Sequence, residues 1–143
     1  MRLQREQIRA FIGEPYFSRG EAYFKDGMIQ IVSISDTLVQ AKAVGTRVYN
    51  VQLVLENSYL DGTCSCPAFE DFGPCKHMAA TGLAIIAYGQ GAYNPSITCI
   101  NQAAEFEEFE KALRSKTKDE LISIIIRLSD YYPEIIDELN ESI

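Results

Sequence analysis

The sequence predicts an α+β fold, with N-terminal helices, a small antiparallel β-meander, and helices again towards the end of the chain. Three observations predict it. In residues 1–27, apolar residues recur every three or four positions, which is typical of amphipathic helices. Between residues 28 and 66, apolar and polar residues alternate, which is typical of strands. From residue 75 onwards the helical spacing returns.

Two helices are predicted before the sheet. The first covers residues 3–12 and has one apolar stripe, formed by Leu3, Ile8, Phe11 and Ile12. The second covers residues 18–27, because Ser18 and Glu21 have the spacing of a capping box and Gly27 is a favoured helix stop. Gly20, in the first turn of this second helix, predicts a close approach of another element.

Three strands and a shorter fourth one are predicted in the middle of the chain. The third is the clearest, because alternate positions place four apolar side chains on one face: Tyr49, Val51, Leu53 and Leu55. The links between the strands are short, which favours an antiparallel meander. The four segments are residues 28–35, 37–44, 48–55 and 58–66.

Helical patterns follow the strands. Residues 75–89 are rich in alanine and aliphatic residues and stop at Gly89. Two further helices are expected over residues 100–115 and 117–132, the latter opening with a capping-box pattern of Thr and Glu. Pro133 is suited to the first position of a last short helix.

The composition is that of a compact globular chain. A hydrophobic fraction of 47% in 143 residues allows a core to form without disulfides. The amphipathic N-terminus lacks the apolar stretch of a secretory signal. No run of about 18 apolar residues is present that would span a membrane. We therefore expect a cytoplasmic location, where closely spaced cysteines are more often metal ligands or catalysts than disulfides.

Acidic residues are concentrated at the C-terminal end. Residues 105–143 hold 11 Asp and Glu against 5 Lys and Arg, a net charge of −6, whereas residues 1–50 hold 5 against 7, a net charge of +2. Any nucleic-acid-binding face would therefore lie in the first part of the chain. Arg2, Arg5 and Arg9 are spaced to share a helix face there, although an ordinary solvated face has the same pattern.

Three of the four cysteines and the only histidine fall within fourteen positions. Cys64 and Cys66 are separated by one residue, eight residues follow, and Cys75 and His77 are again separated by one residue. On a strand, residues two apart point to the same side, so the first two sulfurs can converge. The last two donors lie where the next helix begins, and Gly73 and Pro74 favour a turn before them.

Three sulfurs and one nitrogen make the closed tetrahedral donor set that Zn²⁺ prefers, and no position stays open for catalysis. Other interpretations of the same residues are reduced buried cysteines, a thiol catalyst that uses Cys75 and His77, or iron or another soft metal. A disulfide between Cys64 and Cys66 would be strained. Cys99 lies beyond a helix and a loop, and we expect it to be a small buried apolar residue.

The spacing C-x-C, eight residues, C-x-H, followed by "KHMAA", resembles the SWIM zinc finger, with Cys64, Cys66, Cys75 and His77 at the matching positions. Upstream, "RGEAYFKDGMIQIV" and "CSCP" resemble the region before the finger in bacterial SWIM proteins, many of which carry a SWI/SNF-type DNA-dependent ATPase further on. The resemblance covers residues 15–88. We expect a SWIM domain over residues 1–104, with the finger core at about residues 58–89, and an acidic helical segment over residues 105–143.

The resemblance also implies a module of proteins that act on DNA or chromatin, with one structural zinc ion. We expect a non-enzymatic role in recognition or assembly, since the chain has no G-x-x-x-x-G-K-[ST] phosphate loop. The expected partner is DNA or a protein, including a helicase-type ATPase, and no small-molecule substrate or membrane. Candidate nucleic-acid contacts are Arg2, Arg5, Arg9 and Lys76.

The alternative function is a stand-alone protein–protein adapter that makes no contact with nucleic acid. Two features support it, the acidic C-terminal segment and an apolar stripe in it, formed by Leu121, Ile122, Ile125 and Leu128. The same stripe is also expected if this segment packs on the chain's own core. The chain is either a free-standing small member of the family or the N-terminal part of a longer protein.

Overall fold

The computed structural model describes residues 1–142 and confirms the α+β class. Two helices precede the sheet, α1 (Arg5–Ile12) and α2 (Tyr16–Lys25). The strands are β1 (Ile29–Ile34), β2 (Leu38–Val44), β3 (Val48–Glu56) and β4 (Tyr59–Cys64). The later helices are α3 (Pro67–Phe72), α4 (Lys76–Gly89), α5 (Ile97–Arg114), α6 (Lys118–Tyr131) and α7 (Glu134–Glu141).

The chain divides into two compact units, Met1–Ala104 and a second unit that begins at Glu105, so that α5 starts in the first and continues in the second. The first unit contains the sheet, in which four antiparallel strands follow their sequence order.

Strand β1 lies at one edge of the sheet, and a tyrosine side chain forms hydrogen bonds with two of its backbone groups. The Tyr93 hydroxyl accepts from the Ile31 N–H and donates to the Ile29 carbonyl, each at 2.9 Å. These two backbone groups are therefore not free to pair with another strand.

The main core lies between one face of the sheet and the helices α1, α2 and α4. Its largest fully buried side chains include Ile8, Phe17, Ile29, Leu53 and Met78. Gly20 allows α2 to approach α4 closely, because a Cβ at this position would lie 2.5 Å from the Ala79 Cβ and 2.8 Å from the Lys76 carbonyl oxygen. The close approach predicted for Gly20 is confirmed, and it brings α2 against the first turn of α4.

Two local predictions were wrong. The Ser18–Glu21 capping box does not form, because α2 begins two residues earlier, with Pro15 at its N-cap. Ser18 instead bonds through its N–H and its hydroxyl to the Glu14 carboxylate, and Glu21 pairs with Arg5. The second difference is α3, where only a turn was expected. Proline is well tolerated at the first position of a helix, and Pro67 takes that position in α3.

Helices α6 and α7 begin within one residue of the predicted positions, whereas α5 begins at Ile97, three residues before the predicted start at residue 100. The Thr117 hydroxyl accepts from the Glu120 N–H at 3.1 Å and caps α6, and Pro133 directly precedes α7. None of the side chains of α6 or α7 is buried. No helix within residues 1–142 combines the length and the hydropathy needed to cross a membrane.

A candidate metal centre at the start of helix α4

Four potential metal ligands converge where β4, α3 and α4 meet. Cys64 is the last residue of β4, Cys66 is the N-cap of α3, Cys75 is the N-cap of α4, and His77 lies in the first turn of α4. All four are buried, and their ligand atoms lie within 4.8 Å of one another. The Nδ1 atom of His77 lies 3.8 Å from the Cys64 Sγ and 3.8 Å from the Cys75 Sγ.

Local structure accounts for this convergence. Strand pairing continues just past β4, because the Ser65 N–H donates to the Asn50 carbonyl at 3.0 Å and the Ser65 hydroxyl accepts from the Asn50 N–H at 2.9 Å. The backbone on both sides of Ser65 is therefore extended, which places the sulfurs of Cys64 and Cys66 on one side. Gly73, at φ 86°, ends α3 and turns the chain towards α4.

The distances fit a tetrahedral zinc site. Zinc–sulfur bonds of about 2.3 Å and zinc–nitrogen bonds of about 2.1 Å give ligand–ligand separations of about 3.6–3.8 Å in a tetrahedron. A sulfur–nitrogen pair in this geometry is separated by about 3.6 Å, and the two observed sulfur–nitrogen distances of 3.8 Å are close to it. The four side chains are positioned to hold one zinc ion. Four protein donors are the number that a structural zinc site requires.

Backbone N–H groups point at each sulfur. The Phe69 N–H donates to the Cys66 Sγ at 3.4 Å, the Cys66 N–H donates to Cys64, and the Met78 N–H donates to Cys75. Hydrogen bonds of this kind favour the thiolate over the thiol. Two of the three come from the first turns of helices, where the helix dipole also favours negative charge.

The three thiols influence one another because they lie close together in a buried site. Hydrogen bonds from Cys64 and from His77 lower the pKa of Cys75 to about 4, although burial opposes the shift. The bond to Cys75, together with burial, raises the pKa of Cys64, and burial raises the pKa of Cys66. A divalent ion would stabilise all three as thiolates.

The residues predicted to contact nucleic acid are spread around α1 and the start of α4. Arg2 is exposed before α1, and Arg5 pairs with Glu21. The guanidinium groups of Arg5 and Arg9 lie 5.1 Å and 4.8 Å from the centroid of a buried aromatic ring of α2. The Lys76 ammonium lies 5.6 Å from the ring of Tyr23. Two of the arginines thus also help to pack α1 on α2, and nucleic-acid binding by any of these residues stays a prediction.

Cys99 lies in a separate apolar cluster with Val44 and Ala103, and it is fully buried. Burial raises the pKa of Cys99 to about 11, as expected for an apolar environment. It does not belong to the metal-ligand group found among residues 1–142.

Two residues next to the centre had no signal of their own in the sequence. Tyr23 and Tyr49 contact the ring of His77 from two other elements of the fold. The alternation in β3 predicts only that Tyr49 faces the core, and α2 gives no indication that Tyr23 reaches a donor 54 positions further along.

The fold and the four buried donors define a zinc-binding module. Residues 49–84 match the family model of the SWIM zinc finger. The matched stretch runs from β3 into α4 and includes all four donors, which is consistent with a SWIM-type zinc finger in this part of the chain. No curated protein and no solved structure is significantly similar to the chain.

Proposed function

We propose that this chain is a non-enzymatic recognition module, organised by one structural zinc ion, that works in a DNA-associated complex in the cytoplasm. The observation that carries the proposal is the closed set of three cysteines and one histidine within the SWIM match. Because the protein would fill every coordination position, none remains for a water molecule or a substrate. A cytoplasmic location is consistent with thiols that stay reduced and ready to bind metal.

The zinc ion would contribute to the stability of the fold. Structural zinc binding is worth about 10–16 kcal/mol in apparent terms, which is comparable with the whole stability of a typical domain at about 5–15 kcal/mol. The donors belong to β4, α3 and α4, so the ion would hold the end of the sheet against the first turn of α4. The surface around α3 would then be fixed in a single shape for a partner.

DNA is the first candidate partner, and the SWIM match supports this context. The charge distribution favours a contact on the first part of the chain, which carries +2 over residues 1–50 against −6 over residues 105–143. A titration of labelled duplex and single-stranded DNA at two salt concentrations tests this. We expect weak binding, with a log–log salt slope of magnitude about 2–4 at about 0.9 per phosphate contact.

Variants separate phosphate contacts from packing in this experiment. Arg2→Ala removes an exposed charge that precedes α1, and it should weaken binding evenly across DNA sequences. Lys118→Ala, in the acidic segment, is the matched control and should lower the affinity much less than Arg2→Ala, because it lies outside the expected contact and changes only the overall charge. Absence of binding even at low salt would refute the DNA-binding function.

A protein partner is the second candidate, favoured by the exposed apolar side chains of α6 and α7. Isolated helices of 14 and 8 residues are marginally stable in water and usually depend on a packed apolar face. Seven acidic and two basic residues over 118–142 give a net charge of −5, which fits a basic partner. The exposed side chains are Ile122, Ile125, Ile126, Leu128, Tyr131, Tyr132, Ile136 and Leu139.

Two synthetic peptides test the second candidate. A basic amphipathic helical peptide should bind the full chain, and Ile126→Asp should weaken this binding, since Ile126 is 62% exposed. An acidic peptide of the same apolar content is the control and should not bind, because like charges repel. Equal affinity for both peptides, or no binding of the basic one, would refute this function.

A further inference from the structure

The imidazole of His77 is held between two tyrosine rings. The ring of Tyr23 meets it edge-on, with centroids 5.1 Å apart and an interplanar angle of 81°. The ring of Tyr49 lies at 5.0 Å and is tilted by 40°. The three residues belong to α2, β3 and α4, so three different elements fix the plane of this imidazole.

Two contacts hold the side chain of Tyr23 in place. Its hydroxyl donates a hydrogen bond to the Val44 carbonyl at the end of β2. The ammonium of Lys76 lies 5.6 Å from the centroid of the same ring, at a distance suited to a cation–π contact. Rotation of the Tyr23 side chain about its Cα–Cβ bond would therefore break a hydrogen bond as well as packing contacts.

Tyr49 is anchored by the sheet. It lies opposite Ala43 in the β2–β3 register, two positions before Val51, which faces Cys64 across β3 and β4. Side chains two apart on a strand share a face. Strand pairing therefore places the Tyr49 ring on the side of the sheet that carries the first cysteine of the metal centre.

We propose that Tyr23 and Tyr49 are positioning residues of the metal centre, which orient the His77 ring so that Nδ1, and not Nε2, faces the sulfurs of Cys64 and Cys75. The proposal rests on the zinc site proposed above. A histidine ligand carries two nitrogens and rotatable bonds, and neighbouring groups normally fix which nitrogen binds the metal. At this site the two rings restrict the imidazole, and the nitrogen at 3.8 Å from both sulfurs is Nδ1.

Leucine variants test the proposal in the full chain. Tyr23→Leu combined with Tyr49→Leu should raise the zinc dissociation constant about 10- to 100-fold, the usual effect of removing groups that orient a metal ligand. A competition assay with a chromogenic chelator measures this constant. The Co²⁺-loaded protein gives a second readout, because a freed imidazole changes the ligand field and shifts the visible absorption bands.

Conservative and distant variants separate positioning from general stability. Tyr49→Phe keeps the ring and should keep both the affinity and the cobalt spectrum of the wild type. Val39→Ala is the control for stability, because Val39 is fully buried in β2 and is not one of the four donors or of the rings around them. If Val39→Ala weakens zinc binding as much as the double leucine variant, and the cobalt spectrum is unchanged in both, the positioning role is refuted.

A further test uses only the wild-type chain, so it does not depend on whether a variant folds. With ¹⁵N-labelled histidine in the zinc-loaded chain, the ring nitrogen shifts identify which nitrogen binds the metal. Metal-bound Nδ1 with a protonated Nε2 is expected, and metal-bound Nε2 would overturn the proposal. If the wild type binds no zinc at all, the proposed function itself fails. If it binds one zinc and the leucine variants match it in affinity and spectrum, only the positioning role fails.

Discussion

The substitution Cys66→Ser is expected to remove the metal while it preserves the local hydrogen bond. Cys66 is 2% exposed, and its sulfur accepts from the Phe69 N–H at the start of α3. Serine is a good N-cap and can keep this bond, but its hydroxyl does not replace a thiolate in a tetrahedral zinc site. Loss of the metal should therefore follow from the missing sulfur alone.

The expected loss of stability is large. Structural zinc contributes about 10–16 kcal/mol, so losing even a third of this would cost about 3–5 kcal/mol, a substantial part of the stability of a typical domain. Hydrogen exchange should show the effect first in β4, α3 and the start of α4, since these elements supply the donors. The amides of α6, outside the first unit, should exchange as in the wild type.

Elemental analysis and thermal unfolding of purified protein measure both effects. Cys99→Ala is the matched control, because it also removes a fully buried thiol but lies outside the donor group. One zinc per chain is expected in the wild type and in Cys99→Ala, and close to none in Cys66→Ser. A stoichiometric zinc content in Cys66→Ser, or loss of zinc in Cys99→Ala, would refute the assigned donor set.

Three further predictions concern the fold around the centre. Gly20→Ala should lower the free energy of unfolding by about 1–3 kcal/mol, because the new Cβ would overlap α4. A Cβ at Gly89 would have no neighbour within 4 Å, so Gly89→Ala should be neutral in the same urea titration. Equal effects of the two substitutions would contradict the close approach of α2 and α4. Tyr93→Phe should lower the free energy of unfolding by about 1–3 kcal/mol, because it leaves two backbone groups at the β1 edge unpaired. Tyr88 is exposed, so Tyr88→Phe is the control. If both variants have the urea midpoint of the wild type, the hydrogen bonds of Tyr93 do not stabilise this edge. Thr117→Ala should destabilise α6 by about 1 kcal/mol and reduce the helical circular dichroism signal, since it removes the N-cap hydrogen bond. An unchanged spectrum together with unchanged amide exchange in α6 would contradict the role of this cap.

The sheet and the donor set could be predicted because both leave periodic patterns in the sequence. Alternation in β3 places Val51 and Leu53 in the core, as observed. The spacing of Cys64 and Cys66 on a strand end, and of Cys75 and His77 at a helix start, is a local pattern that needs no knowledge of the tertiary structure.

The remaining features depend on choices between competing local signals or on tertiary contacts. Ser18 has a capping-box spacing, but Pro15 starts the helix earlier and the Glu14 carboxylate takes the hydrogen bonds of Ser18. The six residues of α3 are too few to show a helical period. The contacts of Tyr23 and Tyr49 with the histidine join three elements, and no pattern within one element predicts them.

X-ray absorption at the zinc edge of the purified wild-type chain tests the central claim most directly, because it reports the atoms bound to the metal. Assignment of the site to Cys64, Cys66, Cys75 and His77 predicts three sulfurs at about 2.3 Å and one nitrogen at about 2.0–2.1 Å, with one zinc per chain. A first shell with fewer than three sulfurs, with an added oxygen from water, or with no histidine signal would contradict a closed structural site.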